Sequence, residues 1–255
     1  MEPPSSQIPE PVAVGLLKTF AASTAVLIAG LLLLWFATGG GQAFTTETLR
    51  RQQVASQPQR IEAFDLTLAN GEKTSLNAVL AAGGKVWLVD FVYTRCQTLC
   101  SSLGSIYQQL QAQIEARGLQ GKVGLLSISF DPANDDAIAL VEYTKRMAMN
   151  PRVWQIVTLT DWQDRRRLLD AFGIMVLPAP LGEFEHNAAL HLVSSDATLH
   201  QIIDYTDFDN ALNVAARKAL DASFSVSAAS TASTASTAST PSPASTVSAV
   251  SAKAP

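Results

Sequence analysis

Val86-Trp-Leu-Val-Asp-Phe-Val-Tyr93-Thr-Arg-Cys96-Gln-Thr-Leu-Cys100 contains the only two cysteines of the 255-residue chain. The part from Val86 to Tyr93 is rich in β-branched and aromatic residues and is too short for a free-standing helix, as in a strand covered on both faces. Past Cys100 the period changes: Leu103, Ile106, Tyr107, Leu110 and Ile114 recur at three-and-four spacing, which predicts a helix from about Thr98 to near Gly118. Both sulfurs therefore belong to a strand-to-helix junction. The free N–H groups of a helix N-terminus and the charge of Arg95 favour thiolate over thiol there. Residues four apart on a helix have Cβ atoms roughly 5–6 Å apart, and a disulfide needs roughly 3.5–4.5 Å, so a small adjustment separates a bridged pair from an open one. An open pair offers two soft donors of the kind that select Cu(I), zinc or iron–sulfur clusters. The residues alone leave three uses open: an inert or stapling pair, a metal site, or thiol–disulfide exchange.

Upstream, no charged residue occurs from Thr19 to Thr38, a length that suits a bilayer-spanning helix better than the shorter core of a cleaved signal peptide. Residues 1–18 form a flank, 19–38 the expected anchor and 39–59 a polar connector with no regular apolar period. Charge leaves the topology undecided, with Lys18 on one side and Arg50 and Arg51 well beyond the other. The net charge of −4 offers no basic patch for nucleic acid.

The soluble domain is expected over residues 60–220. Phe64 to Leu68 alternates as a strand, Asn70-Gly71 turns it, and Leu76 to Leu80 is a short helical turn. Further strands are predicted over Lys122–Phe130 and Trp154–Leu159, and helices over Ala137–Met149, with Ile138, Val141 and Met147 on one side, and from Asp161 to Phe172. Strands alternating with helices give an α/β layered fold with right-handed crossovers. Gly173 to Asn187, broken by Pro178, Pro180 and Gly182, reads as a long loop ending at His186. Ala188–Ser194 and Thr198–Tyr205 form a hairpin, and a last helix runs from Asp207 to about Leu220. Residues 221–255 repeat Ala, Ser and Thr, a composition expected to stay disordered.

Other candidates carry less. His191 lies an odd number of residues from His186, on the opposite strand face, and reads with His200 as a core or surface histidine. Met147, Met149 and Met175 read as core fillers, and Arg165, Arg166 and Arg167 as a solvated face.

Three stretches together are similar to the SCO/SenC family: Asp90-Phe-Val-Tyr-Thr-Arg-Cys96-Gln-Thr-Leu-Cys100, Ser127-Ile-Ser-Phe-Asp131-Pro132, and His186-Asn-Ala-Ala-Leu-His-Leu-Val-Ser-Ser-Asp196. The chain departs from the family pattern at Gln97, where proline is usual, and at Ser195-Asp196-Ala197 in place of Pro-Asp-Gly. The resemblance implies a thioredoxin-like three-layer domain on a single-pass anchor in the cytoplasmic membrane, facing the periplasm. It implies one copper, as Cu(I) or Cu(II), on Cys96, Cys100 and His186. It further implies delivery to the copper-centre subunit of cytochrome c oxidase, or preparation of that subunit's cysteines, with other periplasmic copper carriers as further partners. Two thiolates and an imidazole suit copper, whereas structural zinc normally takes four protein ligands. The competing reading is a thiol–disulfide oxidoreductase using Cys96 and Cys100 alone, against which the three-residue spacing argues. A peroxidase fits less well, because Thr94 is only two residues before Cys96. A tethered interaction module would require the three donors to lie apart.

Overall fold

A computed structural model describes residues 10–37, 46–95, 99–180 and 183–235. In chain order these form α1 (Glu10–Ala37), α2 (Thr46–Ser56), β1 (Gln59–Arg60), β2 (Asp65–Leu68), β3 (Lys73–Ser75), α3 (Leu76–Ala81), β4 (Val86–Val92) and α4 (Leu99–Ala116). There follow β5 (Val123–Ser129), α5 (Ala137–Arg146), β6 (Trp154–Leu159), α6 (Arg165–Phe172), β7 (Val176–Pro178), β8 (Phe184–His186), β9 (Ala189–Val193), β10 (Thr198–Asp204) and α7 (Phe208–Ala235).

Among the described residues eight strands join one sheet in the order β1-β10-β9-β4-β5-β6-β2-β3. β4 lies in its middle, parallel to β5 and antiparallel to β9, and all seven of its residues are buried. Its period of two sends Leu88 and Asp90 to one face and Trp87 and Phe91 to the other. On the first face Tyr107 of α4 donates to the Leu88 carbonyl at 3.1 Å, and Gln108 of the same helix reaches the Met147 carbonyl past the end of α5. On the second face the Trp87 indole donates to the Leu80 carbonyl of α3, and Phe91 meets Phe172 of α6 at 4.9 Å between ring centroids. The sheet is thus covered on both sides, which is why β4 and β5 are apolar on both faces apart from the buried Asp90, Ser127 and Ser129. Gly124 sits beside Trp87 in the parallel register, and a Cβ there would come within 2.6 Å of the indole.

Four expectations change. The connector is not structureless: α2 buries Val54 completely, and its Arg51 bonds Glu47 at 3.0 Å and Asp204 of β10 at 3.3 Å. Its apolar period is too thin to register, and strong helix formers with an i,i+4 ion pair supply the rest. The Gly173–Asn187 loop contains the antiparallel pair β7–β8, in which Val176 faces His186. α5 buries Leu140 and Tyr143 and leaves Ile138 70% exposed, so its inner face is one step round from the expected one. Finally α7 continues to Ala235, through a stretch where alanine, the best helix former, is frequent. Residues 236–255 fall outside the described residues.

α1 is apolar over Leu17–Ala37, 21 residues exposed on all sides. At about 1.5 Å per residue that is roughly 30 Å of helix, the thickness of a bilayer core.

Candidate metal centre

β4 ends in a turn that is held at every polar atom of Thr94. The Asp135 carboxylate accepts from Thr94 N–H at 2.9 Å, from Thr94 Oγ1 at 2.6 Å, and from the Ser129 hydroxyl, while Arg146 donates to the Thr94 carbonyl at 2.6 Å. One residue on, Arg95 pairs with Asp131 at 3.2 Å, and Asn134 donates to the same carboxylate. Burial pushes the Asp135 carboxyl up, and its hydrogen bonds to Ser129 and Thr94 oppose that shift. The segment Asp131 to Asp135 therefore acts as a clamp on the residues just before Cys96. Sequence reading marked Asp131-Pro132 as part of a family-like stretch; the partnership of Asp135 with Thr94, 41 residues away, comes from the structure.

Cys96 lies outside the described residues. Cys100 falls in the first turn of α4, which begins at Leu99, within a residue of its expected start.

His186 closes β8, half-buried, with Nδ1 at 3.1 Å from the Asn187 carbonyl. In the tautomer that donates this bond, the ring proton is on Nδ1 and Nε2 is unprotonated. Its ring packs edge-on against Phe130 at 5.3 Å. Phe130 in turn meets Tyr93 at 5.5 Å and Phe184 at 5.8 Å, and Tyr93 meets Phe184 at 5.3 Å. The aromatic cluster thus connects the strand end before Cys96 to the hairpin carrying His186. Asn187 fastens the base of that hairpin, bonding Met175 N–H at 2.7 Å and the Gly173 carbonyl at 3.1 Å. Gly173 has φ 63°, and a Cβ there would strike the Arg50 guanidinium of α2 at 1.9 Å.

The remaining candidates resolve one by one. His191 is fully buried against the Val89 and Phe172 carbonyls, and burial pushes its pKa down to about 4, so it is a neutral core residue as its parity implied. His200, on β10, bonds the hydroxyl of Ser194 just past β9 at 2.9 Å, a structural role. Met149 is buried and Met147 packs on the core, but Met175 is 66% exposed and is no filler. Arg166 is solvated, and Arg167 bonds Glu62 and Asp164. Arg165 departs from the solvated reading by lying over Phe184 at 4.7 Å and Phe130 at 5.4 Å.

Beneath the site, Asp90 is wholly buried beside Ser127 and Tyr107, and burial pushes its carboxyl up to about 7. The folded state therefore holds this proton where the unfolded chain has lost it. Stability from Asp90 is complete below pH 4 and is lost as pH rises through 7, by on the order of 4 kcal/mol. Asp90→Asn, which resembles the neutral acid, is expected to raise the melting temperature above pH 8 and to change it little at pH 4. A calorimetric pH series checks this, and an offset independent of pH would count against it.

A family model described as SCO1/SenC matches residues 52–221. The chain belongs to the SCO1/SenC family. The SCO1 protein homolog of Bacillus subtilis (strain 168) is 27% identical over 187 residues, 72% of this chain and 88% of the relative. BsSco, a member of the Sco family of cytochrome c oxidase assembly proteins in which a disulfide switch was identified, superposes with a TM-score of 0.55 at 22% identity, over 64% of this chain and 95% of its own. Copper-bound ScoI of Arabidopsis thaliana superposes with a TM-score of 0.53 at 17% identity, over 62% of this chain and 98% of its own. At these identities the two structures speak to the fold, which is the expected thioredoxin-like one. The SCO1/SenC match begins inside α2.

Proposed function

We propose that this chain is a copper chaperone for cytochrome c oxidase, binding one copper ion through the thiolates of Cys96 and Cys100 and the imidazole of His186. It would deliver the ion to the binuclear copper centre, or prepare the cysteines of that centre. Copper is the cargo, so the site must both hold and release it. What supports the reading is the convergence of the clamped Thr94 turn and the His186 hairpin on one aromatic cluster, in a family whose relatives include a copper-bound member. Two soft sulfurs suit Cu(I), and the added nitrogen suits Cu(II).

The apolar α1 would anchor the domain in the cytoplasmic membrane with the site in the periplasm, an oxidising compartment where a cysteine pair can cycle. Thiolates ligate and a disulfide does not, so thiol redox state would gate loading. The full chain in detergent micelles, reduced under anaerobic conditions, is expected to take up one equivalent of copper, and the same chain oxidised to its disulfide is expected to take up none. Uptake equal in both states would overturn the proposal.

Thiol–disulfide exchange is the second reading, favoured by the disulfide switch identified in BsSco, a relative of the same fold. It uses the same cysteines and has no need of His186.

A further inference from the structure

We propose that Tyr93 is the positioning residue for His186, its hydroxyl latching the histidine hairpin to the cysteine turn. The inference rests on the reading of His186 as a copper ligand.

Tyr93 follows β4 directly and is 1% exposed. Its hydroxyl meets three groups of the hairpin, 90 and more residues away: the Glu183 carboxylate, the Phe184 N–H at 3.1 Å and the Phe184 carbonyl at 3.3 Å. A phenol has a single proton. It goes to the carboxylate, because a charge-assisted bond is the stronger, and the oxygen then accepts from the Phe184 N–H. The bonds fall on Glu183, just before β8, and on Phe184, the first residue of that short strand, which ends in His186. Phe184 and His186, two apart on β8, share a face. That face is the one that rests on Phe130, with Arg165 lying over Phe184 from the other element beside it.

The near end of the latch is tied down. Thr94, next in the chain, is fixed by Asp135 and Arg146, so the Tyr93 ring stands on a rigid strand end. β7–β8 is by contrast a two-stranded pair outside the main sheet, and such hairpins hold their position poorly without outside support. The base of the hairpin is tied by Asn187; between that base and its tip the aromatic cluster supplies packing, and the hydroxyl of Tyr93 adds directional hydrogen bonds back to the chain entering the cysteine turn. A ring alone would fill the core equally well. The hydroxyl therefore acts on where His186 stands, and not on whether the core is full.

Tyr93→Phe keeps the ring and removes the latch, and Glu183→Ala removes the acceptor from the hairpin side without touching the core. Each is made alone and in a His186→Ala background, and the full chain in micelles is titrated with Cu(I) against a chromophoric competitor. Each single variant is expected to bind about tenfold more weakly, as loss of a group that orients a ligand does. In the His186→Ala background neither is expected to cost anything further, because both act through the same side chain. The Cu(II) form should also show reduced nitrogen hyperfine coupling in Tyr93→Phe, a signature that a general loss of stability would not produce. Wild-type copper binding that falls with His186→Ala but is unmoved by both variants, or that falls equally in both backgrounds, overturns this inference alone. No copper binding by the wild type overturns the reading of the site and the latch with it.

Discussion

Replacing His186 by alanine is expected to lower the copper affinity of the reduced chain by more than about a hundredfold while leaving its disulfide exchange activity unchanged. Groups that merely orient a metal ligand are worth 10–100-fold, so loss of one donor from a set of three should cost more than the upper end of that range. The substitution itself is mild for the fold. His186 is half-buried on a strand outside the main sheet, and its principal neighbour, Phe130, keeps Tyr93 and Phe184 as ring partners. Competition titration of the full chain, run beside reduction of a disulfide-bonded substrate, separates the two readings of the cysteines. Copper affinity within a few-fold of wild type would remove His186 from the site and favour the oxidoreductase.

Asp135→Ala is expected to have the largest effect on the fold near the site. One buried carboxylate serves the Thr94 N–H, the Thr94 hydroxyl and the Ser129 hydroxyl, and alanine leaves all three without it. Stranded buried donors cost about 1–3 kcal/mol each, and partial relaxation around them brings the sum to about 3–5 kcal/mol. For a domain of this size that is a fall of about 6–20 °C in melting temperature. Asp135→Asn keeps the acceptor oxygen and loses the charge, and should fall between the two. Thermal unfolding followed by circular dichroism measures this, and a loss under about 1 kcal/mol would mean that the turn holds itself. Copper affinity should fall in the same variant, because the turn leads directly to Cys96.

The layered α/β fold was legible because its strands are long enough to carry a signal. β4 and β5 are predominantly apolar on both faces, and α4 keeps its three-and-four spacing from Leu103 to Ile114, about three turns. What escaped was short or depended on distant partners. α2 has one fully buried side chain, too few for a period, and β7–β8 are three residues each with a proline in the first. In the site, His186 was visible as a histidine placed before a strand. The partners of Asp135, Arg146 and Glu183 were not, since they lie 41, 52 and 90 positions away. Met175 was misread because an apolar residue in a loop resembles a core filler until the surface is known.

The folding of α2 onto β10, with Arg50 seated over Gly173, also changes how far the domain can roam. Had residues 39–59 been a free tether, the chain between Ala37 and Arg60 would have allowed excursions of up to roughly 80 Å. With Thr46 already part of the domain, the contour from the end of α1 is at most roughly 30 Å. On the proposed anchor, that short leash confines the domain to a thin shell above the bilayer. Encounters with a membrane-bound recipient then become a search in two dimensions, at a local concentration set by the tether and not by the volume of the compartment.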